Sequence, residues 1–180
     1  MVRNMSKIQV VNQNKEGELK MEQRITEIGT LEFSQSKYNR GYFTADKEIK
    51  LFSKQCKIGI RFNVFHYGPE GLTDEMLMAA RACLETINNH AEMIEQWIKN
   101  YYDTEVRERA EEMGCNYVPI DDVCQLAQVV TPQELYIEPL KTNIIVGLYF
   151  TCDWDEERGV GIRFDTDGNV IKIGTGEIIY

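Results

Sequence analysis

The residues best suited to chemistry lie in one short segment. Thr151-Cys152-Asp153-Trp154-Asp155-Glu156-Glu157-Arg158-Gly159-Val160-Gly161 sets four carboxylates around one indole and one guanidinium, with a glycine pair behind them. Three readings fit these residue types. The first is structural: Trp154 plugs a core edge, a carboxylate pairs with Arg158, and Gly159 and Gly161 allow a bulge and close strand contact. The second is a partner surface formed by Asp153, Trp154, Asp155, Glu156, Glu157 and Arg158. Tryptophan and arginine are enriched in interface hot spots, and a ring of carboxylates complements a basic partner. The third is a metal or acid–base site, because closely spaced carboxylates suit calcium or magnesium. The segment departs from the EF-hand pattern, since the sixth position counted from Asp153 is Arg158 and not glycine. Asp165-Thr166-Asp167-Gly168 is too short a fragment to form such a loop.

Other catalytic signatures are missing from the sequence. It has no phosphate-binding loop, and Gly159-Val160-Gly161 lacks the third glycine of a dinucleotide fingerprint. It has no G-x-S-x-G elbow. The two histidines, His66 and His90, read as a loop residue and a polar helix position. Cysteines stand at 56, 83, 115, 124 and 152, an odd number with no C-x-x-C spacing. That pattern argues against a disulfide framework or a zinc site and predicts reduced thiols, buried as small apolar groups, in a cytoplasmic protein. No catalytic residue, metal or cofactor is assigned on these grounds.

The formal net charge of −9 is unevenly spread. Residues 1–70 carry 12 basic and 8 acidic side chains, residues 71–114 carry 4 and 10, and residues 115–180 carry 4 and 11. Such a chain repels nucleic-acid phosphates and attracts basic partners over a range set by salt. The longest apolar run, Ile144 to Phe150, has the length of a strand, so no membrane span is expected. Met1 to Glu16 has no apolar block behind Arg3 and Lys7, so no secretory signal is expected. The oligomeric state is left open.

The elements that must position the acidic segment follow from periodicity. Residues 1–24 are polar and read as an extension, partly disordered or an edge strand around Lys7 to Val11. Residues 25–180 read as a single α+β domain. Ile25, Ile28, Leu31 and Phe33 are assigned to a first strand, Tyr42 and Phe43 to a second, and Ile49, Leu51 and Phe52 to a third. Ile58, Ile60, Phe62 and Val64 alternate with polar or small residues, the mark of a half-buried antiparallel strand. Thr73 is an N-cap, with Asp74 and Glu75 in the first turn. Apolar residues at 76, 80, 83, 87, 91, 94, 98 and 101 recur at the helical period of about 3.6. They predict one long central helix, bent at Asn88-Asn89-His90 or divided there into two nearly in line. Its opposite face carries Glu85, Glu92, Glu95 and Lys99, and an exposed extension ends at Gly114.

Asp121 or Asp122 caps a short helix, Thr131-Pro132-Gln133-Glu134 suggests a single helical turn, and Leu135 to Leu140 an edge strand. Ile144 to Cys152 and Val160 to Phe164 are core strands joined by the acidic segment, and Asp165 to Asn169 is a hairpin turn before Val170. No β-α-β rhythm is visible. The expected fold is therefore an antiparallel sheet of N- and C-terminal strands with the long central helix packed on one face.

One resemblance adds to this reading. The order Ile-Gly-Thr-Leu-Glu-Phe (28–33), Tyr-Phe (42–43), Glu-Ile-Lys-Leu-Phe (48–52), Gly-Leu-Thr-Asp-Glu (71–75), a helix ending in Tyr-Tyr (101–102) and Gly-Leu-Tyr-Phe-Thr-Cys-Asp-Trp-Asp-Glu-Glu-Arg-Gly-Val-Gly-Ile (147–162) resembles a bacterial family of uncharacterised domains. The likeness covers about residues 25–180, and its most specific part is the Cys-x-Trp-Asp-Glu-Glu-x-Gly-x-Gly-Ile hairpin. Families of this kind are compared with immunity proteins of polymorphic toxin systems. The resemblance thus implies a non-enzymatic domain that binds a basic protein such as a toxin. It brings no catalytic residues. The alternative is a small metal- or carboxylate-dependent hydrolase built on residues 153–157.

Overall fold

A computed structural model of the chain describes residues 23–35, 41–65, 68–112 and 119–179. Eight strands form one sheet in strict chain order: β1 (Gln23–Thr26), β2 (Gly29–Gln35), β3 (Gly41–Leu51), β4 (Lys54–Phe65), β5 (Val130–Pro139), β6 (Ile144–Cys152), β7 (Val160–Phe164) and β8 (Val170–Thr175). Every neighbouring pair is antiparallel except β4 and β5, which run parallel with Gly59 opposite Glu134 and Phe62 opposite Ile137. A parallel pair needs a long crossover, and here the helices supply it. They are α1 (Asp74–Asn89), α2 (Ala91–Tyr101), π-helical turns over Tyr102–Arg107, α3 (Glu108–Glu112) and α4 (Val123–Val129). The fold is α+β as expected, but its sheet is mixed and built around one helical crossover.

The inward faces follow the predicted alternation. Ile58, Ile60, Phe62 and Val64 of β4 share one core with Val146, Leu148, Phe150 and Cys152 of β6, and Val160, Ile162 and Phe164 of β7 join them. Met76, Ala80, Cys83, Ile87, Ile94 and Ile98 of α1 and α2 close that core from above. Thr73 caps α1 by accepting from the Met76 N–H. Asp122 and Gln125 form a reciprocal capping box at α4.

Several expectations are corrected. The long central helix does not exist as one element. His90 takes φ −129° and ψ 33°, ending α1 and capping α2, so residues 91–112 form the longest helical run. Asn, Asn and His are weak helix formers, and the apolar phase survives the break because packing on the sheet sets it. Glu95 and Lys99, assigned to the solvent face, are each only 8% exposed. The Glu95 carboxylate accepts the Phe52 N–H, and Lys99 pairs with Asp103.

The first predicted strand is a hairpin, since Glu27 and Ile28 turn between β1 and β2. The next two pieces are one strand, β3. Thr131 to Glu134 is extended within β5, bulged between Pro132 and Glu134, and not a helical turn. Leu135 to Leu140 does not contain an edge strand, because β5 is paired on both sides. Pro132 is tolerated there at the bulge, where no ladder N–H is required. The 1–24 extension (apart from Gln23 and Arg24), the 66–67 loop and the helix end at Gly114 lie outside the described residues.

The opposite face of β6 to β8 is covered from the C-terminus. A 3-10 turn over Gly176–Ile179 lays Ile179, fully buried, against Gly147 and Gly161. A Cβ on Gly147 would stand 2.4 Å from the Ile179 side chain, so the strand must be bare there.

Candidate functional site

The acidic segment is the β6–β7 connection, at the rim of the sheet. Cys152 ends β6 with its side chain buried, as the alternation requires. The Asp153 N–H then donates to the Val129 carbonyl (3.0 Å), which ties the connection to the end of α4. Trp154 is partly buried and packs on the core. Its ring centroid lies 4.9 Å from that of Tyr102, tilted by 58°, a favoured aromatic geometry. Tyr102 is 1% exposed and opens the π-helical stretch. Such wide turns are rare and frequently mark functional positions.

Asp155 and Arg158 form a clasp. The Arg158 Nε and a terminal guanidinium nitrogen lie 2.9 and 2.8 Å from one Asp155 oxygen, and the Arg158 backbone N–H donates to the other at 3.1 Å. The Gly159 N–H closes the loop on the Asp155 carbonyl at 2.8 Å. Gly159 sits at φ 64°, and a Cβ there would be 2.2 Å from the Phe150 carbonyl oxygen. Only glycine fits both demands. Asp153, Glu156 and Glu157 are exposed. Most of the structural reading is realised: the indole packs on the core, one carboxylate binds Arg158, and glycine makes the turn, but the β6–β7 ladder runs without the expected bulge.

The electrostatics agree with this geometry. Burial pushes the Cys152 thiol up to about 11, with the Asp155 and Asp153 carboxylates adding to the effect against opposing backbone hydrogen bonds. The thiol therefore stays protonated near neutrality. The hydrogen bond and charge of Asp155 raise the Arg158 guanidinium. Burial raises the Tyr101 hydroxyl; Arg109 opposes this, while Asp155 and Glu105 add to it. The end of α2 and the hairpin therefore share one acidic neighbourhood.

Among the described residues no group of three histidine, cysteine, aspartate or glutamate side chains converges as a metal ion requires. Cys56, Cys83, Cys124 and Cys152 are free thiols. Among the described residues no helix is long and apolar enough to cross a membrane.

The structure joins Trp154 to Tyr102 and Asp155 to Arg158, and leaves Asp153, Glu156 and Glu157 facing solvent. Periodicity put Tyr101 on the core face, and it packs there partly buried. Tyr102 is the fully buried ring, because the helix widens into π turns at that point. The Tyr-Tyr pair closing the apolar repeat was the available signal.

Fold and hairpin together define a mixed α+β domain whose helices cover one sheet face and whose β6–β7 connection presents carboxylates on an aromatic base. The chain belongs to the family described as Domain of unknown function (DUF6985), which it matches over residues 27–180. No curated protein and no solved structure matches it.

Proposed function

We propose that this chain is a non-enzymatic, cytoplasmic protein-binding domain that engages a basic partner through the acidic β6–β7 hairpin. An immunity-like role against a toxin domain in a bacterial host fits that chemistry. One observation carries the reading. The Asp155–Arg158 clasp and the Trp154–Tyr102 contact hold the hairpin in one shape, while Asp153, Glu156 and Glu157 stand exposed and unused by the fold. A preformed surface loses little entropy on binding, and its carboxylates speed encounter with a cationic partner. Free thiols suit a reducing compartment.

The hydrolase alternative gains no supporting contact. Asp155 is committed to Arg158, and Asp153, Glu156 and Glu157 are exposed. The test is capture from the native host at low salt with the full chain and with D153K/E156K/E157K. A specific basic partner retained by the parent and lost by the folded variant is the expected result. Failure to capture any specific partner, or equal capture by the variant, overturns the reading.

A further inference from the structure

A second surface lies at the other end of β6. The first two turns of α1, the β5–β6 connection and the β7–β8 turn line a groove of about 530 Å³. Its volume falls in the range of ligand sites. Five large apolar side chains are exposed among the described residues, and two of them, Met78 (63%) and Leu140 (46%), line this groove from separate elements. Ile144 adds further apolar lining. Glu75 and Asp167, again from separate elements, contribute two carboxylates against the single cation Lys141.

The turn carrying Asp167 is held firmly. Asp165 accepts from the backbone N–H groups of Asp167 and Asn169 and from the Asn169 side chain, at 2.8 to 3.0 Å. A Cβ on Gly168 would meet the Ala82 carbonyl oxygen at 2.6 Å, so the turn is pressed directly onto α1. The α1 and β7–β8 walls are therefore packed directly on each other.

We infer that this groove is a docking site for a partner segment in which an aliphatic anchor is flanked by lysine or arginine. Methionine adapts to varied apolar anchors, leucine and isoleucine supply dry contact, and the carboxylate excess selects flanking cations. The inference rests on the reading of the chain as a binder of basic proteins and gives that partner a second point of contact. The hairpin and the groove stand at opposite ends of β6, nine residues or about 30 Å apart along the strand.

The probe is a synthetic peptide of alternating lysine and leucine, titrated into the full-length, isotopically labelled chain and followed by backbone amide shifts. Two control peptides replace leucine by serine or lysine by glutamate. Saturable shifts at Met78, Leu140 and Asp167 are expected, with both controls binding at least about tenfold more weakly. M78S/L140S, altering exposed side chains only, should weaken binding by a similar factor. E75Q/D167N should flatten its salt dependence. Shifts scattered over the surface or confined to residues 153–158, or equal binding by the serine peptide, overturn the inference. The hairpin variant D153K/E156K/E157K should keep the groove shifts, so a failed hairpin reading and a failed groove reading give different results.

Discussion

Trp154 serves two purposes that one substitution can separate. Its ring contacts Tyr102 and the core, yet it sits on the loop that presents the free carboxylates. Truncating a partly buried indole removes apolar contact and leaves a void beneath the hairpin. W154A should lower unfolding free energy by about 2 kcal/mol, less than the cost for a fully buried tryptophan. W154F should recover most of that loss. Denaturant titration with an unchanged m-value checks both. A loss below about 0.5 kcal/mol, the range of ordinary surface changes, would mean the ring contributes little to the core. Asp155 and Arg158 are committed to each other, so their contribution to binding would come through loop shape.

At the scale of elements, the β3–β4 hairpin carries backbone strain. Its two turn residues, Phe52 and Ser53, have φ of 53° and 57°, a conformation that favours glycine or asparagine. The turn persists because the Phe52 ring is buried and its N–H is held by the Glu95 carboxylate from α2. Ser53 is exposed and carries no such compensation. S53G should therefore raise stability by about 1 kcal/mol, read as a higher denaturation midpoint. Phe52 changed to glycine should destabilise instead, because the lost packing exceeds the relieved strain. Edge strand β8 shows the opposite economy. Its register shifts by one residue between Arg163 and Phe164, and Lys172 stands beside the irregularity. A bulge and a lysine on an edge discourage pairing with another chain.

At the scale of the molecule, stability should be graded outward from the parallel seam. β4, β5 and β6 lie at the centre of the sheet with helices on one face, whereas β1 is a four-residue edge strand. Native-state hydrogen exchange should find the slowest amides in β4, β5 and β6 and the fastest among the strands in β1. Comparable protection in β1 would contradict this order.

Much of this architecture was legible in the residues themselves. Strict alternation marked β4, because a half-buried strand must place every second side chain in the core, and the apolar faces of β6 and β7 were visible as every second residue. Thr73 and the Asp121-Asp122 pair announced helix starts, because a side-chain oxygen must satisfy the orphan N–H groups of the first turn, and the structure uses Asp122. A carboxylate pairing with Arg158 beside a flexible glycine was also legible, because such groups in one tight loop close on each other locally; the structure chose Asp155. All these features depend on interactions within a few residues.

Tertiary structure alone decided the rest. It turned the Pro-bearing segment after α4 into a central strand, because pairing on both sides outweighs a local capping signal. It buried Glu95 against the Phe52 N–H, forty-three residues away in the chain, and it sank Tyr102 deeper than Tyr101. It required glycine at 147 to seat Ile179, thirty-two residues away in the chain. Periodicity specifies which face of an element is apolar; only the packed chain determines what that face meets.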